Sequence, residues 1–292
     1  MPLPEERPLQ GVFLAVNALF FFAALDAAAK YLTQTFSIPM LVWARYSVHC
    51  LLMVVFLAPR LGRRLVATRR PGRQLARAFL LLCCTSLGFG ALSRMPLAET
   101  TATAFTTPLI VALLAGPWLH ERLSPGQWLA VMAGFGGVLL IARPGGAVTV
   151  DGVTLALAAA ACNAAYQILT RQLAPTENSI AMLFYTALVG SVVMTLLLPW
   201  YWAGPWPSAT EALLICALGV LGGSGHFLLI RAFRHAPASI LSPCMYLQLV
   251  WAIILGAAVF AHWPDAFALL GGIVIVASGL YLGFSARYNA AP

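Results

Sequence analysis

Apolar runs of about twenty residues follow one another along the chain, each long enough to cross a bilayer as a helix. They fall at roughly 11–32, 39–58, 76–93, 98–118, 126–143, 152–172, 180–199, 210–232, 238–260 and 266–285. Punctuation supports these divisions: Pro39, Pro96, Ser124-Pro125-Gly126, Pro144-Gly145-Gly146, Pro199, Pro205, Pro207, Pro237 and Pro264. The short alternating pattern of barrel strands is absent, so the runs read as helices. The first of them, GVFLAVNALFFFAALDAAAKYL (Gly11–Leu32), carries Asn17 near its middle and Asp26 and Lys30 towards its end.

That run recurs. A shift of 141 lays it on Gly152–Leu173 without a gap, matching Gly11 to Gly152, Asp26 to Gln167 and Lys30 to Arg171. The register continues: Pro96 falls on Pro237 and Leu139 on Leu280. Five spans per half is an odd number, so the halves enter the membrane in opposite senses. The expected fold is an all-α polytopic membrane protein, ten transmembrane helices in two inverted five-helix repeats, 1–147 and 148–292.

Composition fits this reading. Of 292 residues 61% are hydrophobic and 9% charged, with mean hydropathy +0.87, whereas a soluble domain holds about 25% charged. The net charge of +8 does not indicate nucleic acid, because the basic residues lie in short loops rather than on one face. With the N-terminus cytoplasmic, thirteen fall inside: Arg7, seven from Arg60 to Arg77, Arg122, Arg171, Arg231, Arg234 and Arg287. Three (Lys30, Arg94, Arg143) fall outside, and Arg45 lies within span two. Both termini are therefore expected in the cytoplasm of a cell (inner or plasma) membrane, with the Arg60–Arg77 loop resting on anionic head groups. The first run is too long for a signal peptide and follows no basic leader, so it is expected to remain as a span. The six cysteines lie in apolar runs and read as small buried hydrophobes.

Polar groups inside spans are the candidate chemistry. Asp26 and Lys30 lie one helical turn apart and can pair on one face. Arg45 lies about 9 Å into span two, at the depth of Asp26, so an Asp26–Arg45 ion pair is expected, as a structural clasp or as a gate or substrate-charge site. Asn17, Asn163, His226 and Gln248 stand near the centres of their spans, with Tyr166, Tyr246 and Trp251 nearby. Amides and imidazole offer donors and acceptors to a zwitterion, and aromatic faces hold a cation or an apolar chain. Each polar group could instead be glue between helices. Gly219, Gly222, Gly223 and Gly225 let neighbours approach span eight. Pro108 with Thr103, Thr106 and Thr107, and Ser242-Pro243 in span nine, suit a kinked pore wall or hydroxyl-to-backbone bonding. Metal-spaced His/Cys clusters, phosphate loops and catalytic motifs are missing, and Asp26 is the acid well inside a span. No metal, cofactor or enzyme activity is expected.

The stretch from Ser93 to Ile141, with Pro96, Pro108, Glu121 and Arg122, and its weaker copy from His235 to Asp265 resemble the drug/metabolite transporter superfamily, EamA branch. In the copy, His262 and Trp263 replace the Glu-Arg pair. The resemblance covers essentially the whole chain and implies a secondary carrier working by alternating access. Among subgroups it is closest to exporters of the aromatic-amino-acid type or to S-adenosylmethionine carriers. The expected function is export of small metabolites, foremost amino acids, by facilitated diffusion, with the bilayer and a second copy as partners. An S-adenosylmethionine or other uptake carrier is the alternative. An enzyme acting on lipid head groups and a sensor or assembly subunit are readings of other classes.

Overall fold

A computed structural model describes residues 8–119, 124–143, 148–202, 205–236, 240–241 and 244–288. The Glu121-Arg122 cap, the Pro144-Gly145-Gly146 turn, Pro237 and Ser242-Pro243 lie outside the described residues. Among the described residues eleven helices of eight residues or more run in chain order: α1 (Pro8–Leu32), α2 (Ile38–Leu61), α3 (Pro71–Leu92), α4 (Leu97–Ala104), α5 (Thr107–Leu119), α6 (Pro125–Ile141), α7 (Val150–Leu173), α8 (Ser179–Tyr201), α9 (Ala209–His235), α10 (Leu247–Phe260) and α11 (Ala266–Tyr288). Eight candidate spans and two shorter apolar helices, α6 and α10, make ten crossings, because α4 and α5 share the fourth. Side chains close the starts of several helices: Ser124 and Gln127 form a capping box for α6, Ser208 and Glu211 one for α9, and Thr149 caps α7.

The fourth span breaks at Phe105 and Thr106 for a local reason. Pro108 has no N–H to give the Ala104 carbonyl, and the Thr107 hydroxyl donates to that carbonyl at 2.8 Å instead. Thr100, Thr101 and Thr103 likewise donate to carbonyls one turn back. The threonines thus serve the backbone.

The most extensive helix pairings are kept when each helix is exchanged for its counterpart five spans on. α1 against α9 becomes α7 against α3, α2 against α9 becomes α8 against α3, and the pairs α2–α8 and α6–α11 map onto themselves. Equivalent helices run in opposite directions. The hydroxyl of Ser37, before α2, donates to the Tyr201 carbonyl at the end of α8, and the Arg69 N–H beyond α2 donates to Glu177 before α8. Arg143 at the end of α6 pairs with Asp265 at the start of α11, 2.7 Å apart. The chain is a multi-pass membrane protein of two inverted five-helix repeats. α6 and α11 meet backbone to backbone: a Cβ on Gly137 would come within 2.7 Å of the Gly271 carbonyl.

One face carries the end of α1, the starts of α2 and α7 and the end of α8. Exposed Trp200, Trp202, Trp206 and Trp263 ring it, as amphipathic rings do at a membrane–water interface. The opposite face carries the start of α1 and the end of α11. There Arg60, Arg63, Arg64, Arg69, Arg70 and Arg73 are exposed. Arg77 corrects the expectation of a loop arginine, because it lies inside α3 at 3% exposure. Its guanidinium donates to Thr170, Thr186, the Met182 carbonyl and the Tyr166 hydroxyl. These are neutral partners on α7 and α8, which tie the first repeat to the second.

Candidate functional site

A cavity of about 1070 Å³ lies between the repeats. Its upper wall holds Asp26 of α1, Arg45 of α2, and Thr85, Phe89 and Leu92 of α3. The broken fourth span contributes Thr100, Thr101, Phe105, Thr107 and Pro108, so the kink faces the cavity. The lining reaches Gln127 in the first turn of α6, Arg171 in the last turn of α7 and Phe284 near the end of α11. The cavity therefore extends to the face on which α1 begins.

Of the residues singled out in the sequence, Asn163, Tyr166, His226, Tyr246 and Gln248 line this one volume together with Asp26 and Arg45. Three stand outside it. Asn17 donates its amide to the Phe13 carbonyl on its own helix at 2.8 Å, and Trp251 packs edge-on against Phe20. Lys30 turns away from Asp26, donating to the carbonyls of Leu92 (3.0 Å) and Met95 (2.7 Å) at the end of α3.

The expected Asp26–Arg45 clasp is not formed. Arg45 donates to the Thr85 hydroxyl at 3.0 Å and lies 5.5 Å from the Tyr46 ring centroid. Asp26 accepts from the Gln248 amide at 3.3 Å. The reason lies in the neighbours: the Tyr46 hydroxyl pairs with Thr85 at 2.7 Å and fixes the acceptor that holds the guanidinium. α9 makes room for this arrangement. A Cβ on Gly222 would stand 3.4 Å from Arg45 Nε, and one on Gly219 would stand 2.5 Å from Val48 Cβ and 2.9 Å from the Arg45 carbonyl oxygen. Phe22 packs edge-on against His226 with centroids 4.9 Å apart, and the Phe105 and Tyr246 rings meet at 5.0 Å.

The cavity thus presents the Asp26 carboxylate and the Arg45 guanidinium, each bonded to neutral side chains, with amides and aromatic faces between and Arg171 at the end where α7 stops. Such a wall can receive both ends of a zwitterion. Sequence reasoning counted Arg171 among the basic residues on the inner side and left Gln127, Thr85 and Phe105 unassigned. Thr85 had a signal, as a hydroxyl in the middle of an apolar run. Gln127 had none beyond its helix cap.

Comparison with known proteins places the chain among transporters. The EamA-like transporter family matches residues 9–143 and again 151–284. An S-adenosylmethionine uptake transporter of Rickettsia conorii is 27% identical, over 96% of this chain and 94% of that protein. A riboflavin transporter of Vibrio cholerae is 26% identical over 95% and 94%. A pseudopaline exporter of Pseudomonas aeruginosa is 29% identical over 93% and 95%. A solved structure aligns with TM-score 0.66 at 19% identity, over 96% of this chain and 99% of that one, a likeness of fold.

Proposed function

The chain belongs to the EamA-like transporter family, and from that premise we propose that it is a secondary carrier for a zwitterionic metabolite bearing an amino-acid group. Asp26 and Arg45 carry this reading. Both line one cavity, neither is bonded to the other, and charges inside a span need partners. The substrate ammonium lies against Asp26 and Gln248, its carboxylate against Arg45, and its side chain against Phe105 and Tyr246. Asn163, Tyr166 and His226 complete the wall. Export of amino acids fits this wall, with the two repeats (1–147 and 148–292) rocking about the cavity. The basic loops favour an inner-membrane protein with both termini in the cytoplasm, and in that orientation the cavity extends inward.

The cavity's size favours a second reading. About 1070 Å³ is at the upper end of ordinary ligand sites and suits an amino acid with a large, flat substituent, such as the S-adenosylmethionine that the Rickettsia relative takes up. Flux into and out of proteoliposomes decides between them. Common amino acids and S-adenosylmethionine are each supplied radiolabelled, with and without a pH gradient. Saturable flux of either that is lost in Asp26→Asn supports the site. Absence of flux for every zwitterion would overturn it.

A further inference from the structure

Phe105 and Tyr246 hold equivalent places in the two repeats, because the shift of 141 lays one on the other. Both line the cavity, and their rings meet with centroids 5.0 Å apart. What stands behind each ring differs. Phe105 packs against the buried cluster that includes Val138 of α6. The same shift carries Val138 to Gly279 of α11, which has no side chain to pack. A Cβ on Gly279 would overlap the Tyr246 hydroxyl, and would stand 3.4 Å from Tyr246 Cζ and 3.9 Å from Pro108 Cβ. The hydroxyl that Tyr246 has and Phe105 lacks thus takes the space that a side chain at 279 would fill. It lies in a notch between the α11 backbone and the proline at the break in the fourth span.

The two rings also lie on the route to the charged pair. At 1.5 Å per residue, Gly279 is about 14 Å from the end of α11, whereas Asp26 is about 27 Å from the start of α1. α11 ends and α1 begins at the same face, so a solute entering there passes Tyr246 before it meets Asp26 and Arg45. Towards the other face the lining stops at Asp26, Leu92 and Thr100. Beyond it the buried Glu99 of α4 meets His262 Nε2 at 2.9 Å.

We propose that Gly279 sets the size of the group that reaches Asp26 and Arg45, by letting the Tyr246 ring lie back against α11. A methyl group at 279 displaces the hydroxyl. The α11 backbone lies behind it and Pro108 beside it, so the ring gives way towards Phe105 and the cavity, and the passage narrows. The displaced atom is the tip of a side chain that swings about its own torsions, so the helices keep their places and the change falls on the aperture. With glycine the aperture admits a large, flat substituent; with alanine it admits small ones. The aperture itself holds for any solute, and naming that solute an amino acid with a flat substituent rests on the zwitterion reading above.

The aperture is tested without a substrate. Gly88 of α3 also lines the cavity, about 26 Å from the start of its helix. No described residue lies within 4 Å of a Cβ there, so Gly88→Cys sets a thiol beyond the rings, in a chain whose six native cysteines are replaced by alanine. Vesicles are used in the orientation in which a cysteine at Arg69 reacts with added reagent. Two methanethiosulfonates of equal charge are compared, one small (trimethylammonium-ethyl) and one carrying a flat bicyclic aromatic group. Gly279→Ala should slow the bulky reagent at least tenfold relative to the small one. Gly279→Ala with Tyr246→Phe, which removes the overlapping atom, should restore the parental ratio. In proteoliposomes, kcat/KM for S-adenosylmethionine relative to alanine should fall and recover in the same two variants. Size exclusion and the thermal midpoint report folding, and a Gly279→Ala chain that does not fold would overturn the proposal, which requires the ring and not the helix to yield. An unchanged labelling or flux ratio in Gly279→Ala, or a fall that the double variant keeps, would overturn it too. A labelling ratio that changes as stated in a protein without zwitterion flux would leave the aperture standing and remove the proposed substrate.

Discussion

Asp26 and Arg45 lie in one cavity yet answer to different neighbours, and this separates two roles by experiment. For a clasp, removing either charge would expose the other, and removing both would restore function. For two ends of a substrate site, no recovery is possible. Asp26→Asn and Arg45→Gln should each lower zwitterion flux at least tenfold with membrane-inserted protein still abundant, and the double variant should be no better than the worse single one. Arg77 offers a second check. Lysine brings one compact ammonium where a planar fork now reaches four acceptors, so Arg77→Lys should cost about 1–3 kcal/mol of stability, read as a lower thermal midpoint in detergent. Residues of this kind differ in how plainly the sequence announces them. Asp26, Asn163 and Gln248 interrupt apolar runs and stand out for that reason. Glu99 and Arg77 lie near helix ends, where a charge is ordinary, and only the helices packed around them decide that they are buried. Asn17 interrupts a run just as Gln248 does, yet it spends its amide on its own backbone.

At the scale of the helix, α9 shows how small residues position large ones. Gly219 gives its space to Val48 and the Arg45 backbone, and Gly223 to the His49 ring. A methyl group at 219 forces α2 outward, and overpacking of this kind costs about 1–3 kcal/mol. Gly219→Ala should therefore lower the thermal midpoint and flux together. Gly136→Ala, where a Cβ meets nothing within 4 Å, should leave both unchanged. Helix number, order and punctuation were legible in the sequence because membrane thickness sets a length that composition reveals. The break at Phe105 was only half legible. Pro108 marks a kink, but the end of α4 depends on which threonine captures the Ala104 carbonyl, a choice among five hydroxyls that spacing alone does not make.

The molecule as a whole joins two opposed copies, and its orientation can be read by labelling. Cysteines at Trp206 and Trp263, both exposed on the face where α1 ends, should react with an impermeant reagent from the periplasmic side, and a cysteine at Arg69 from the cytoplasmic side. Reaction of 206 and 263 from different sides would break the inverted arrangement. The repeat was visible in the shift of 141, but the size of the cavity it encloses was not, because periodicity says which helices correspond and not how far apart they stand. The contact between Gly137 of α6 and Gly271 of α11 has a mechanical meaning. Two bare backbones in touch, flanked by Ile141 and Ile275, act as an axle on which the halves turn without separating. Spin labels on the lipid-side positions Gly136 and Ile273 should then keep one narrow distance distribution at every pH and substrate load. Labels on Trp206 and Trp263, out at the moving rim, should broaden or split into two populations under the same changes.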